Sequence, residues 1–272
     1  MDKIGSDTAF AGSIPEFYDT QMVPLIFEPY AEDMARRVAA LKPRRVLETA
    51  AGTGVVTRAL DRALPATSEI VATDLNQPML DRAAVVGTSR PVRWQQADAM
   101  QLPFDAASFD AVVCQFGVMF FPDRPHALRE ARRMLRPGGT LLFNAWDRIE
   151  DNEFADVVTN ALATLFPADP PRFMARTPHG YFKREQIAAD VAAAGFADAP
   201  HIETITARSR AASADAVAVA YCQGTPLRGE IEARAPSRLA EATAVAAAAL
   251  AARFGKGPLD GKIQAHVVSV VA

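Results

Sequence analysis

Glu48, Gly52, Gly54, Asp74 and Asp98 have the types and spacing to hold a ligand. The stretch VLETAAGTGVVTRAL passes from apolar residues through an acid into Ala50, Ala51, Gly52 and Gly54, then into a helix-like pattern. A strand that ends in a small-residue turn and feeds a helix lets backbone approach a ligand closely. Asp74 closes the next apolar run about 20 residues later, the usual place for an acceptor of ribose hydroxyls. A dinucleotide or any adenosine-bearing ligand would fit so far.

Two details separate these ligands. The dinucleotide fingerprint GxGxxG needs a third glycine for close helix–strand packing, and reading on from Gly52 puts Thr57 there. A further segment, QQADAMQLPF, places Asp98 beside the same crevice. A second carboxylate suits an exocyclic amine such as adenine N6 and would repel a pyrophosphate. The ligand is therefore read as adenosine without phosphates. A tight turn would explain the two glycines alone, and a helix N-cap would explain Asp74 alone; with Asp98 the set reads as a site.

Positioning these residues requires a parallel sheet. Short apolar segments at 45–49, 69–74, 91–98, 109–117 and 139–146 read as strands, the last following the Pro/Gly stop LRPGG. Helical patterns fall between them at 55–64, 77–86 and 124–135, with Ala127, Leu128, Ala131, Met134 and Leu135 on one face of the last. Alternating strands and helices imply right-handed crossovers and a sheet covered on both faces, an open doubly wound α/β fold. Ahead of it, 28–41 reads as an amphipathic helix, with Pro29 suited to its first turn. The aromatic stretch before that helix is broken by Pro15 and Pro24 and reads as a lid or packing arm. Later helices are expected at 152–165, 184–194, 214–221 and 236–254, with a sixth strand at 200–207 and a last at 262–272.

Composition narrows the class. The chain has 272 residues, 50% hydrophobic and 22% charged, which suits a soluble globular protein. A formal net charge of -3 gives no electrostatic reason to expect nucleic acid or an anionic membrane as partner. Cys114 and Cys222 form no disulfide framework and no metal spacing, so no metal is expected. The first residues lack the apolar run of a signal peptide, and the apolar stretch ATAVAAAALAARF is too short to span a bilayer. A cytoplasmic location is expected.

In four ordered blocks, VLETAAGTG, VATDLNQPML, ADAMQLPF and FDAVVCQFGVMFFPD with LRPGG, the chain resembles class I S-adenosylmethionine-dependent methyltransferases. It is most similar to the small-molecule group that includes ubiquinone/menaquinone-type enzymes. The resemblance implies a Rossmann-like, seven-stranded, mostly parallel sheet whose last strand is antiparallel, with helical lid elements. It implies S-adenosylmethionine as cofactor and S-adenosylhomocysteine as product. Residues 1–42 would form the lid and 43–147 the cofactor-binding core. Residues 148–272 would supply pocket helices and the last two strands.

Carried over residue by residue, Glu48, Ala50, Gly52 and Gly54 would surround the methionine part, closed by Tyr18 from the lid. Asp74 would accept from the ribose hydroxyls, with Leu75 and Met79 against the adenine. Asp98 would hold adenine N6 near the Ala99 amide, and Gln115 would sit beside the cofactor's amino-acid part and the transferable methyl. Ala50 stands where the family usually has glycine, so the turn must tolerate a Cβ there. Neither Asp74 nor Asp98 is expected to support the core.

The acceptor, a small molecule, is expected between lid, rim and late insert: Met22, Phe116, Met119, Tyr221, Thr225 and Arg228. Arg228 could bind an acidic group or simply pair with Glu230 or Glu232. No NPPY-like segment follows the fourth strand, which disfavours adenine or glutamine N-methylation. His179 lies in a loop where a general base could act, whereas His201 and His266 fall in expected strands. The transfer can run by positioning alone. An NAD(P)-dependent oxidoreductase and a non-catalytic binding protein are the alternatives. The acceptor atom (O, N, S or C) and assembly into a homodimer are left open.

Overall fold

A computed structural model describes residues 14–272. Its strands are β1 (Arg45–Glu48), β2 (Glu69–Asp74), β3 (Arg93–Gln96), β4 (Phe109–Gln115), β5 (Leu135–Trp146), β6 (His201–Ala211) and β7 (Leu259–Val271). They form one sheet in the order β3-β2-β1-β4-β5-β7-β6. The first five run parallel, and β7 is antiparallel to both β5 and β6.

Side-chain alternation explains why the central strands are apolar throughout. Val46, Ile70, Ala111, Val113 and Leu142 face helices Glu28–Ala40 and Val55–Ala63. Their neighbours Leu47, Val71, Val112, Leu141 and Phe143 join the larger core on the opposite face, with helices Arg124–Met134 and Glu153–Leu165. A two-residue period buried on both sides leaves no polar face to reveal it. The chain winds outward from β1 to β3, returns to β4 and continues the other way. The switch point lies between β1 and β4, where a doubly wound sheet opens a crevice at its carboxyl edge.

Three boundaries differ from the sequence reading. Pro137, Gly138 and Gly139 do not precede the fifth strand but lie within it. Pairing jumps there from Phe109↔Leu135 to Ala111↔Thr140, so the Pro/Gly run is a bulge. The Gly138 N–H donates to Ala272 O (2.8 Å), and the Ala272 N–H donates to Gly139 O (2.9 Å), which holds the bulge in place. Strands β6 and β7 are longer than expected because they pair with each other from His201↔Ser269 to Ala211↔Leu259.

The third difference is the expected arm. Pro15 and Pro24 do not break it: Ile14–Phe17 is helical, Tyr18–Phe27 is π-helical, and Glu28–Ala40 follows directly. Proline lacks an N–H and clashes with the carbonyl four residues back; the wider π turn relieves that conflict. Met22, Val23, Leu25, Ile26 and Phe27 are buried in the main core, so this segment packs as well as covers.

Among the described residues no helix is long and apolar enough to cross a membrane.

Candidate active site

The turn after β1 keeps a glycine-like backbone despite its alanine. Ala50 has φ 52°, Gly52 φ 56° and Gly54 φ 84°. The sequence reading asked for a turn that tolerates a Cβ; the structure instead holds Ala50 in the left-handed region that a Cβ disfavours. That costs roughly 1–2 kcal/mol, partly offset because glycine would lose about 0.5–1 kcal/mol more backbone entropy. Ala50→Gly is therefore expected to raise the melting temperature by roughly 1–4 °C. A lowered melting temperature would show that the Ala50 methyl contributes more through packing than the backbone loses. Gly117 makes room for that methyl, since a Cβ on Gly117 would sit 2.5 Å from Ala50 Cβ.

Asp74 ties the turn to the end of β2. Its Oδ2 accepts from the Gly52 N–H (2.8 Å) and its Oδ1 from the Asn76 N–H (2.8 Å). Asp74 is only 7% exposed, and burial raises its pKa above its ordinary value despite these donors. Asp74 therefore also satisfies two backbone donors of the turn, a structural task outside the core. Asp98 lies two residues past β3, exposed, and accepts from the Met100 N–H (2.8 Å).

One cavity of about 330 Å3 brings these groups together, within the ~300–1,000 Å3 typical of small-molecule sites. Tyr18, Ala50, Gly52, Asp74, Leu75, Met79, Asp98, Ala99, Gln115 and Phe116 line it, as the sequence suggested. Tyr18 stands opposite the turn: a Cβ on Gly52 would meet Met79 Cε at 3.6 Å and Tyr18 Cε1 at 3.8 Å. Burial, with Asp74 and Asp19 nearby, pushes the Tyr18 phenol far above its usual range, so it stays neutral. Gln115 donates through Nε2 to Phe27 O (3.3 Å) and accepts from Asn144 Nδ2 (3.5 Å), both long.

Phe116 carries φ 53°, an outlier for an aromatic residue. Its neighbours fix it there. The ring stacks on Trp146 with centroids 3.8 Å apart and planes within 4°, and Tyr30 meets its edge at 5.3 Å. Strain of this kind persists only where packing over-determines it.

Seven expected site residues lie off this cavity. Glu48 is 1% exposed and accepts from Thr57 Oγ (2.6 Å); burial pushes its pKa up to about 8. Gly54 serves packing, because a Cβ there would lie 2.8 Å from the Trp94 ring and 3.2 Å from Ala83 Cβ. Met22, Met119 and Tyr221 are each 2% exposed, their side chains taken up by core packing. Thr225 donates to Tyr221 O (2.8 Å) and accepts from the Leu227 N–H (3.2 Å), so its hydroxyl holds a helix start. Arg228 bonds Glu232 (2.9 Å), one turn along its helix.

His179 is also remote. Its Nδ1–H donates to Asp147 O (2.8 Å), and burial pushes its pKa down to about 4, leaving a neutral ring 5.9 Å from that of Trp146.

The sequence reading did not name as site residues Asn76, Ala97, Met100, Gly117, Phe120, Phe121 and Pro122, which also line the cavity. All follow the carboxyl ends of β2, β3 or β4 within a few residues, and that position was the only available signal.

The donor set fits S-adenosylmethionine. A glycine turn leaves room for a chain to pass, one acid stands at the end of β2 and another beyond β3, and Leu75, Met79 and Met100 offer apolar surface for a purine. Sheet order and cavity position together match the Rossmann-like fold of class I S-adenosylmethionine-dependent methyltransferases.

Comparison with known proteins agrees. Residues 47–143 match the family described as methyltransferase domain. Demethylmenaquinone methyltransferase of Deinococcus radiodurans is 41% identical over 110 residues, 40% of this chain and 45% of that protein. Ubiquinone/menaquinone biosynthesis C-methyltransferase UbiE of Pseudomonas aeruginosa is 32% identical over 165 residues, 56% of this chain and 64% of that protein. The chain thus spans less than two thirds of the length of either relative. The YcgJ protein of Bacillus subtilis has the same fold, with TM-score 0.57 and 18% identity over 89% of this chain and 98% of that one.

Proposed function

We propose that this protein transfers the methyl group of S-adenosylmethionine to a small organic acceptor. One observation carries the reading: Asp74, Asp98 and the Gly52 turn, distant in sequence, line a single cavity at the switch point of the sheet. Asp74 is assigned the ribose hydroxyls, Asp98 the adenine amine, and Leu75 and Met79 the purine faces. Gly52 and Gln115 are assigned the amino-acid end. Residues 43–147 are assigned the cofactor and Tyr18 of the lid the cover over it; residues 1–13 of the expected lid lie outside the described residues.

The cofactor supplies a methyl group already activated on sulfonium. The protein's work is positioning and exclusion of water. Tyr18 and Phe116 line the cavity with aromatic surface, and Gln115 offers an adjustable amide, held by two long hydrogen bonds, to orient an acceptor. No described histidine lines the cavity, which supports transfer by alignment of acceptor and methyl group. One relative is named as a ubiquinone/menaquinone biosynthesis C-methyltransferase, so a carbon is the acceptor atom to test first.

Titration calorimetry tests the cofactor. S-adenosylhomocysteine is expected to bind saturably and NAD(H) not at all. The reverse result would replace this reading with an oxidoreductase.

A further inference from the structure

Asp19 sits on the π-helical segment Tyr18–Phe27, one residue from the tyrosine that faces the Gly52 turn. Its carboxylate is 8% exposed and meets two arginines from two different helices. Oδ1 accepts from Arg58 Nη2 (3.3 Å), on the helix that follows the turn, and Oδ2 from Arg82 Nε (2.9 Å), on the helix that follows β2. Arg58 also donates to Thr53 O (2.6 Å), inside the turn itself. Among the described residues neither arginine has a second carboxylate partner.

We propose that Asp19 is a positioning residue, a latch that clamps the π-helical segment onto the two helices framing the cavity and so holds Tyr18 over the ligand. The inference rests on the cofactor reading above for its functional consequence, while the latch itself is a property of the ligand-free protein. Two guanidinium groups share one carboxylate. Without it, two half-buried guanidinium groups lose their counter-charge and repel each other. Met22, Val23, Leu25, Ile26 and Phe27 sit in the core while Tyr18 and Asp19 are half-buried, so the Tyr18 end of the segment is the part left to respond. The π-helical geometry is consistent with this, since such segments are rare and frequent at functional sites. The latch is electrostatic and partly exposed to solvent, so salt weakens it.

Hydrogen–deuterium exchange and ligand dissociation together test the latch. In ligand-free protein, Asp19→Asn is expected to speed exchange of amides in residues 18–27 at least ~10-fold while β4 amides keep the parent rate. Asp19→Glu should restore much of the protection, and Arg82→Gln should give the same local pattern as Asp19→Asn. Dissociation of S-adenosylhomocysteine, followed by stopped flow, should be at least ~10-fold faster in Asp19→Asn, and raising salt should speed release from the parent more than from the variant. Unchanged exchange in 18–27 would overturn the latch. So would acceleration spread equally through β4, which would mean that Asp19 merely supports global stability. If the parent binds no S-adenosylhomocysteine, the cofactor reading fails, and the ligand-free exchange still decides the latch.

Discussion

Asp74→Ala is expected to weaken S-adenosylhomocysteine binding by at least ~10-fold. Hydrogen bonds to a charged group contribute about 1.5–3 kcal/mol each, and a ribose diol can donate two. The cost of binding is not the whole effect. Asp74 already accepts from the Gly52 and Asn76 N–H groups, so alanine strips the glycine turn of its tether as well as the ligand of its acceptor. A buried donor left unmet costs about 1–3 kcal/mol, and the melting temperature should fall accordingly. Asp98→Asn separates the two contributions. Asp98 is exposed, keeps an acceptor oxygen as asparagine and meets a single amine, so its variant should lose less affinity and little stability. Calorimetry at a temperature where all variants are folded checks both. Parent-like affinity in Asp74→Ala would mean that the ribose does not lie at the end of β2.

Glu48→Gln should change how stability depends on pH. Burial raises the Glu48 pKa from 4.5 to about 8, outweighing the bond from Thr57. Below pH 4.5 the carboxyl is protonated in both folded and unfolded chains and contributes no difference. Between 4.5 and about 8 the unfolded chain releases the proton and the folded one retains it, so rising pH favours unfolding. The slope approaches about 1.4 kcal/mol per pH unit. Glutamine keeps an acceptor for Thr57 and removes the titration. Parent stability minus Glu48→Gln stability, from urea unfolding, is therefore expected to fall steadily from pH 5 to pH 8. A constant difference would show that Glu48 ionises normally in the folded protein. The effect bears on function because Thr57 and Glu48 underlie the turn that faces the cavity.

The order of strands and helices from β1 to β5 was legible because short apolar runs alternate with helical periods. So were the residues that must stand at strand ends: Asp74 closes β2, Gln115 closes β4, and both line the cavity. What failed were roles that depend on which way a side chain points. Glu48 and Gly54 belong to the same motif as Gly52, yet one is buried against Thr57 and the other makes room for Trp94. Tyr221 and Thr225 combine ring and hydroxyl in a way that suggested a pocket, but their polar groups serve burial and a helix start.

By itself, then, the sequence determined the α/β alternation, the small-residue turn and the two acids that follow it, because local periodicity and chain spacing are properties of neighbouring residues. Only the tertiary structure decided that Ala50 takes a left-handed backbone, that Phe116 is held strained against Trp146, and that Asp19 reaches Arg58 and Arg82. Each of these is enforced by groups far away along the chain. Packing forces compete with local preference there and win, and nothing in a short stretch of sequence records that contest.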